Sequence, residues 1–184
     1  MSADLRAQAA ELRNLIGDIT TLSARDLAGL YGEYGDDWDQ VLPVLWPQTV
    51  RKYADISAQV TTHWYDQLAP ESSYQARAFV DLPDERLSKT LDWAFNAPGA
   101  ATALDRLCGA SQRAIADASR QTVIGNVFVE RVRWARVASP GSCQFCAMLA
   151  DRDAAYASED TAMASHDNCR CTAVPVRSVS AWKP

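Results

Sequence analysis

Cys143-Gln144-Phe145-Cys146, then nineteen residues, then His166-Asp167-Asn168-Cys169-Arg170-Cys171: this stretch holds four of the chain's five cysteines and one of its two histidines. Two tight groups of soft donors separated by a loop are what a short segment needs to surround one tetrahedral ion. A Cys-x-x-Cys turn aims both sulfurs into the same space, and Cys169 and Cys171, two apart in an extended segment, project from one face. His166 lies three residues before Cys169 and can fold back across a turn. Five candidate ligands, Cys143, Cys146, His166, Cys169 and Cys171, therefore compete for the four places of a zinc ion. Closing the intervening loop costs on the order of 3 kcal/mol, whereas zinc contributes roughly 10–16 kcal/mol in peptide-sized sites. Metal binding could thus order a small module by itself, and four filled positions would make its role structural. Two other readings of the same residues stay open. Cys143 and Cys146, opening the apolar run Ala147-Met148-Leu149, could form a redox pair, although the βαβ setting of thioredoxin-like folds is missing. Disulfides or unligated thiols are the third, and five cysteines cannot all pair within one chain.

Upstream of this stretch the pattern is helical. Leu5, Ala9, Leu12, Leu15, Ile16 and Ile19 recur at helical spacing and predict a first helix, and Ser23 with Asp26 resembles the capping box of a second, shorter one ending near Gly35. Pro43 predicts a kink and Pro47 a break after Trp46, followed by a long helix whose stripe runs from Val50 through Tyr53, Ser57, Val60 and Trp64 to Leu68. Residues 70–82 carry no period. A further helix starts around Asp81 and Pro83 and stops at Pro98-Gly99, and a last long one runs from about Ala100 into the 120s, where several small residues on the buried stripe imply close packing. After Gly125 the texture changes. Val127 to Val137 is rich in β-branched residues and reads as a strand, Ser139-Pro140-Gly141-Ser142 as a turn, and Thr172 to Val176 as an edge strand because of Pro175. Residues 178–184 read as a frayed tail. The expected fold class is mainly α (α+β): a helical body over residues 1–126, then a small β-containing Cys/His module over residues 127–184.

Bulk properties narrow the function. The 184 residues are 48% hydrophobic and 22% charged, ordinary for a globular chain. No signal-like leader or membrane-length apolar run is visible, so a chain made in a cytoplasm, with no membrane partner, is the expectation. Of the net charge of −5, residues 131–184, with seven Lys+Arg against five Asp+Glu, carry +2, which leaves −7 on the first 130. Such an acidic body argues against nucleic acid as the main partner. His63 with Asp66 on one helix could form a catalytic pair, but no serine has a nucleophile-elbow setting and the plainer reading is structural. Arg131 and Arg133 are expected on one face of the strand with Arg136 on the other, in a solvated setting or facing a carboxylate-bearing protein. Cys108 reads as a small buried hydrophobe.

The residues Arg133-Trp134-Ala135-Arg136-Val137, Cys143-Gln144-Phe145-Cys146-Ala147-Met148-Leu149, Ala155-Tyr156-Ala157-Ser158, His166-Asp167-Asn168-Cys169-Arg170-Cys171 and Val174-Pro175-Val176 resemble the terminal module of Mu F-like minor head proteins of tailed phages. The version they resemble most is that of phages of actinobacteria. The His-x-Asn-Cys-Arg-Cys ending is the most specific part. Lys52-Tyr53-Ala54-Asp55 and Trp64-Tyr65-Asp66 are similar to the same group, so the resemblance covers most of the chain. One departure is the lack of a glycine near Asp153. The resemblance implies a structural minor capsid protein of head morphogenesis, inside the procapsid or virion near the portal. Its implied partners are the portal or the major capsid protein, with incidental contact to phage DNA. Many members of the actinobacterial group are labelled capsid maturation proteases, which makes protease the alternative function. From this sequence alone no set of nucleophile, base and oxyanion donor can be assembled. Carried over position by position, the family's Cys and His residues fall on Cys143, Cys146, His166, Cys169 and Cys171, with structural zinc as the implied cofactor.

Overall fold

A computed structural model of the chain describes residues 2–99, 101–151, 166, 167 and 169–177. The sequence features at Asp153, at Ala155 to Ser158, at Asn168 and in the tail from residue 178 lie outside these. Among the described residues the elements are α1 (Ala3–Tyr34), a 3₁₀ turn (Gly35–Asp37), α2 (Trp38–Gln67), α3 (Asp84–Asn96), α4 (Ala103–Glu130), β1 (Arg133–Val137), α5 (Gln144–Ala150) and β2 (Thr172–Val176). The fold is mainly helical with one small antiparallel sheet, as the sequence implies.

α4 is the central element. It starts from a capping box in which the Thr102 hydroxyl accepts from the Asp105 N–H at 3.1 Å while the Asp105 carboxylate accepts from the Thr102 N–H at 3.0 Å. Every residue from Ala114 to Arg120 is buried, so the helix has no solvent face over two turns. Small residues let its neighbours approach closely, and buried hydroxyls stitch them on. Ser57 of α2 donates to the Ile115 carbonyl at 2.8 Å, Thr61 donates to Ser119 at 2.8 Å, and the Trp46 indole donates to Ser111 at 3.0 Å. Around these bonds, Ile16, Tyr53, Trp64, Ile115 and Val123 form one apolar cluster, and Leu27, Trp38, Leu42, Trp46, Leu91 and Leu107 a second. Each large apolar side chain among them contributes about 1.5–3 kcal/mol by leaving water.

Three boundaries differ from the sequence reading. The two N-terminal helices are one: Ser23 caps nothing and is buried inside α1, where it continues the stripe Ala9, Leu12, Ile16, Ile19 and Leu27 without a break. The helix ends at Gly35, where the sequence reading also puts an end, and the positive φ of 50° there suits glycine. α2 passes through both Pro43 and Pro47. Its buried face there is Trp38, Leu42, Trp46 and Val50, and the packing of that face carries the helix through. The two carbonyls left without a helical donor, those of Asp39 and Pro43, belong to exposed residues that water can reach. The third difference is at residue 127. α4 continues to Glu130 because Ile124 and Val127 complete its buried face, which outweighs the β preference of the valines, and the helix closes on Arg131 in the left-handed region at φ 57°. β1 is accordingly only Arg133–Val137.

β1 pairs antiparallel with β2, Trp134 opposite Pro175 and Arg136 opposite Ala173. Trp134, Ala135, Val137, Ala173 and Val174 belong to the same apolar cluster as residues of α1, α2 and α4, and residue 126, where the sequence suggests a division, falls inside α4.

The stretch without period before α3 is an extended strap held by α4 side chains. Asn126 accepts from the Tyr74 hydroxyl at 2.6 Å and the Arg77 N–H at 2.8 Å, and donates to the Arg77 carbonyl at 2.8 Å. Thr122 exchanges two bonds with the Phe79 backbone, and Gln121 accepts from the Asp81 N–H at 2.9 Å. Gly125 makes room for it, since a Cβ there would stand 2.6 Å from the Phe79 ring and force a shift. Asn126→Ala should therefore cost about 2 kcal/mol in urea denaturation, with faster amide exchange at Arg77 and Phe79. Unchanged exchange at those two amides would show that the strap is held by something else.

Candidate metal centre

β1 and the turn after it deliver Cys143 to the N-cap of α5, and Cys146 follows one turn later, buried. β2 is preceded by Cys169 and Cys171, both buried, and by His166, which is exposed. The hairpin thus brings the two cysteine groups together. Cys143 Sγ lies 3.3 Å and Cys146 Sγ 3.7 Å from His166 Nε2, and Cys146 Sγ lies 3.7 Å from Cys169 Sγ. The five donors form two triads that share Cys146: Cys143, Cys146 and His166 at the surface, and Cys146, Cys169 and Cys171 within. All five cysteines, Cys108 included, are free thiols.

Within each triad these spacings are close to those a metal takes, while no four of the donors lie within 4.8 Å of one another. With bonds of about 2.3 Å to sulfur and about 2.0 Å to nitrogen, neighbouring donors of a tetrahedral zinc stand roughly 3.5–3.8 Å apart. The clusters could hold a metal ion, and a soft thiolate and imidazole set suits zinc chemistry.

Electrostatics divides the site in the same way. The Cys146 backbone N–H and then the His166 ring draw the Cys143 thiol down to about 7. His166 is raised, first by its bond to the Asp167 carbonyl and then by Cys143. Inside, burial raises Cys146. The Cys171 thiol donates to Cys169, which holds Cys169 well below the ordinary thiol range and Cys171 above it.

Arginines that the sequence reading did not assign to the site surround it. Arg136, expected in a solvated or partner-facing setting, is 1% exposed, and its guanidinium stands 3.6 Å from both Cys146 Sγ and Cys169 Sγ. Arg120 of α4 donates to the Cys171 carbonyl at 2.9 Å and the Cys169 carbonyl at 3.1 Å, and is itself paired with Asp117 at 2.6 Å. Arg13 of α1 donates to the Arg170 carbonyl at 3.0 Å. The available signal was the Asp117 and Arg120 pair, three apart on a helix whose other residues there are small or apolar. Arg131 ends α4 and is not on the strand, while Arg133 is exposed.

The other sequence candidates lie elsewhere. His63 is exposed beside Gln67, and the Asp66 carboxylate accepts from the Ala76 N–H at 2.8 Å, anchoring the strap. Cys108 is half-buried against the second apolar cluster, and burial raises its thiol.

A family model described as VG15 protein matches residues 4–184. The chain belongs to the VG15 protein family. This membership suggests a phage-encoded protein. No curated protein and no solved structure matches the chain. Among the described residues of this VG15 protein, no helix is long and apolar enough to cross a membrane.

In chelator-treated, reduced protein, Cys143 should be the first cysteine alkylated by iodoacetamide, because it is exposed and its thiolate fraction rises with pH through about 7. Peptide mapping by mass spectrometry reads this out. First modification at Cys146 or Cys169 would contradict the division into an outer and an inner triad.

Proposed function

We propose that this VG15 protein is a minor capsid, or head morphogenesis, protein of a phage that acts structurally in procapsid assembly near the portal, and that its Cys/His cluster holds a structural zinc ion. Family membership over nearly the whole chain and the resemblance of the Cys/His ending to Mu F-like head proteins support the first part. The observation that carries the structural role is the way the cluster is tied into the helical body. Arg13 from α1 and Arg120 from α4 both bond to the backbone between Cys169 and Cys171. A metal held by Cys146, Cys169 and two of Cys143, His166 and Cys171 would fasten α5 and β2 to that body and supply folding energy. The docking surfaces so braced would face the portal or the major capsid protein.

Two experiments test the reading. Protein purified under reducing conditions should carry close to one equivalent of zinc, and Cys146→Ser should lose it together with amide protection in β1 and β2; metal far below one equivalent in the unmodified chain would count against the site. Electron microscopy of procapsids should locate the protein inside, near the portal. Specific cleavage of unprocessed major capsid protein by the purified chain, abolished by His63→Ala, would favour the protease instead.

A further inference from the structure

We propose that Arg136 is the positioning residue of the metal centre, fixing Cys146 and Cys169 as the two sulfurs common to whichever four donors bind. The inference rests on the metal reading above and deepens it. One guanidinium nitrogen of Arg136 stands 3.6 Å from each of these sulfurs, which are themselves 3.7 Å apart, so three atoms close a small triangle. Cys146 and Cys169 are 1% and 3% exposed and Arg136 is 1% exposed, so the triangle is shut off from water. In that setting an N–H bond to a thiolate is charge-assisted and stronger than between neutral groups. Because it draws on sulfur lone pairs, it also lowers the charge that a metal-bound thiolate must otherwise bear. Cys146 belongs to both donor triads, and Cys169 is further held by Arg120, which reaches its sulfur at 3.6 Å and its carbonyl at 3.1 Å. By contrast, Cys143 and His166 are exposed and stand 3.3 Å from each other at the rim. The inner pair is therefore preorganised by β1, and the outer donors complete the shell.

The place of this arginine follows from the hairpin register. Arg136 lies opposite Ala173, two residues beyond Cys171, so pairing of the strands sets the guanidinium between the two cysteine groups. Lysine would keep the charge but lose the planar fork.

The test compares the full chain with Arg136→Met and Arg136→Lys. Zinc affinity is read by competition with a chromogenic chelator, and the cobalt-substituted proteins are compared by absorption. Loss of a partner that orients metal ligands typically weakens binding about 10–100-fold, and that is the loss expected for Arg136→Met, with Arg136→Lys intermediate. Removing the N–H bonds should also shift the thiolate-to-cobalt charge-transfer band to longer wavelength, which a purely structural role for Arg136 would not do. If Arg136→Met does not fold, Arg136→Lys carries the comparison by the same two readouts. Wild-type affinity and an unshifted band in the variants would overturn the inference while leaving the metal centre intact. Failure of the unmodified chain to bind zinc or cobalt would instead overturn the metal reading itself.

Discussion

A helix buried all the way round must be covered on every side, and α4 imposes that demand on the rest of the chain. From Ala114 to Arg120 every residue is buried, so α1, α2, α3, the strap and the hairpin each supply part of the cover. The polar groups that α4 carries into the interior are consequently placed against particular neighbours. Ser111 and Ser119 meet α2, Asn126 and Thr122 meet the strap, and Arg120 meets the cysteine loop. Burying an arginine costs several kcal/mol unless it is paired and hydrogen-bonded, and Asp117 with two backbone carbonyls meets that condition.

The same demand ties the Cys/His cluster to the core. The cysteine groups are separated in the chain, and what brings them together is a hairpin whose inner residues, Trp134, Ala135, Val174 and Ala173, are part of the helical cluster. Arg86 reaches Asp117 at 3.0 Å, Asp117 holds Arg120, and Arg120 holds the cysteine loop, so a line of polar contacts runs from α3 through α4 to the site.

Much of this was legible in the sequence because long periodic stripes and clustered ligand types are strong local signals. α3, most of α4 and the strand at Thr172 to Val176 stand where the spacing puts them, and the five donor residues lie in two triads that share Cys146. What failed were local punctuation marks that tertiary packing overrode. Ser23 with Asp26 looks like a cap, yet the stripe on both sides is continuous; Pro43 and Pro47 look like a kink and a break, yet the face carrying Trp38, Leu42 and Trp46 is buried without interruption. Arg136 was misplaced for a different reason. A charged residue on a strand reads as solvated, and only the fold shows that the sulfurs lie beside it. The strap was illegible because its partners are side chains of α4 rather than another strand, which leaves no period in its own residues.

Arg13 and the carbonyl of Arg170 that it holds are 157 residues apart. A ribosome adding about 5–20 residues per second presents the first roughly eight to thirty seconds before the second. During that interval the face of α1 that later receives β2 has no strand to cover it. The cysteine loop can therefore close onto α1 only after Arg170 has been made.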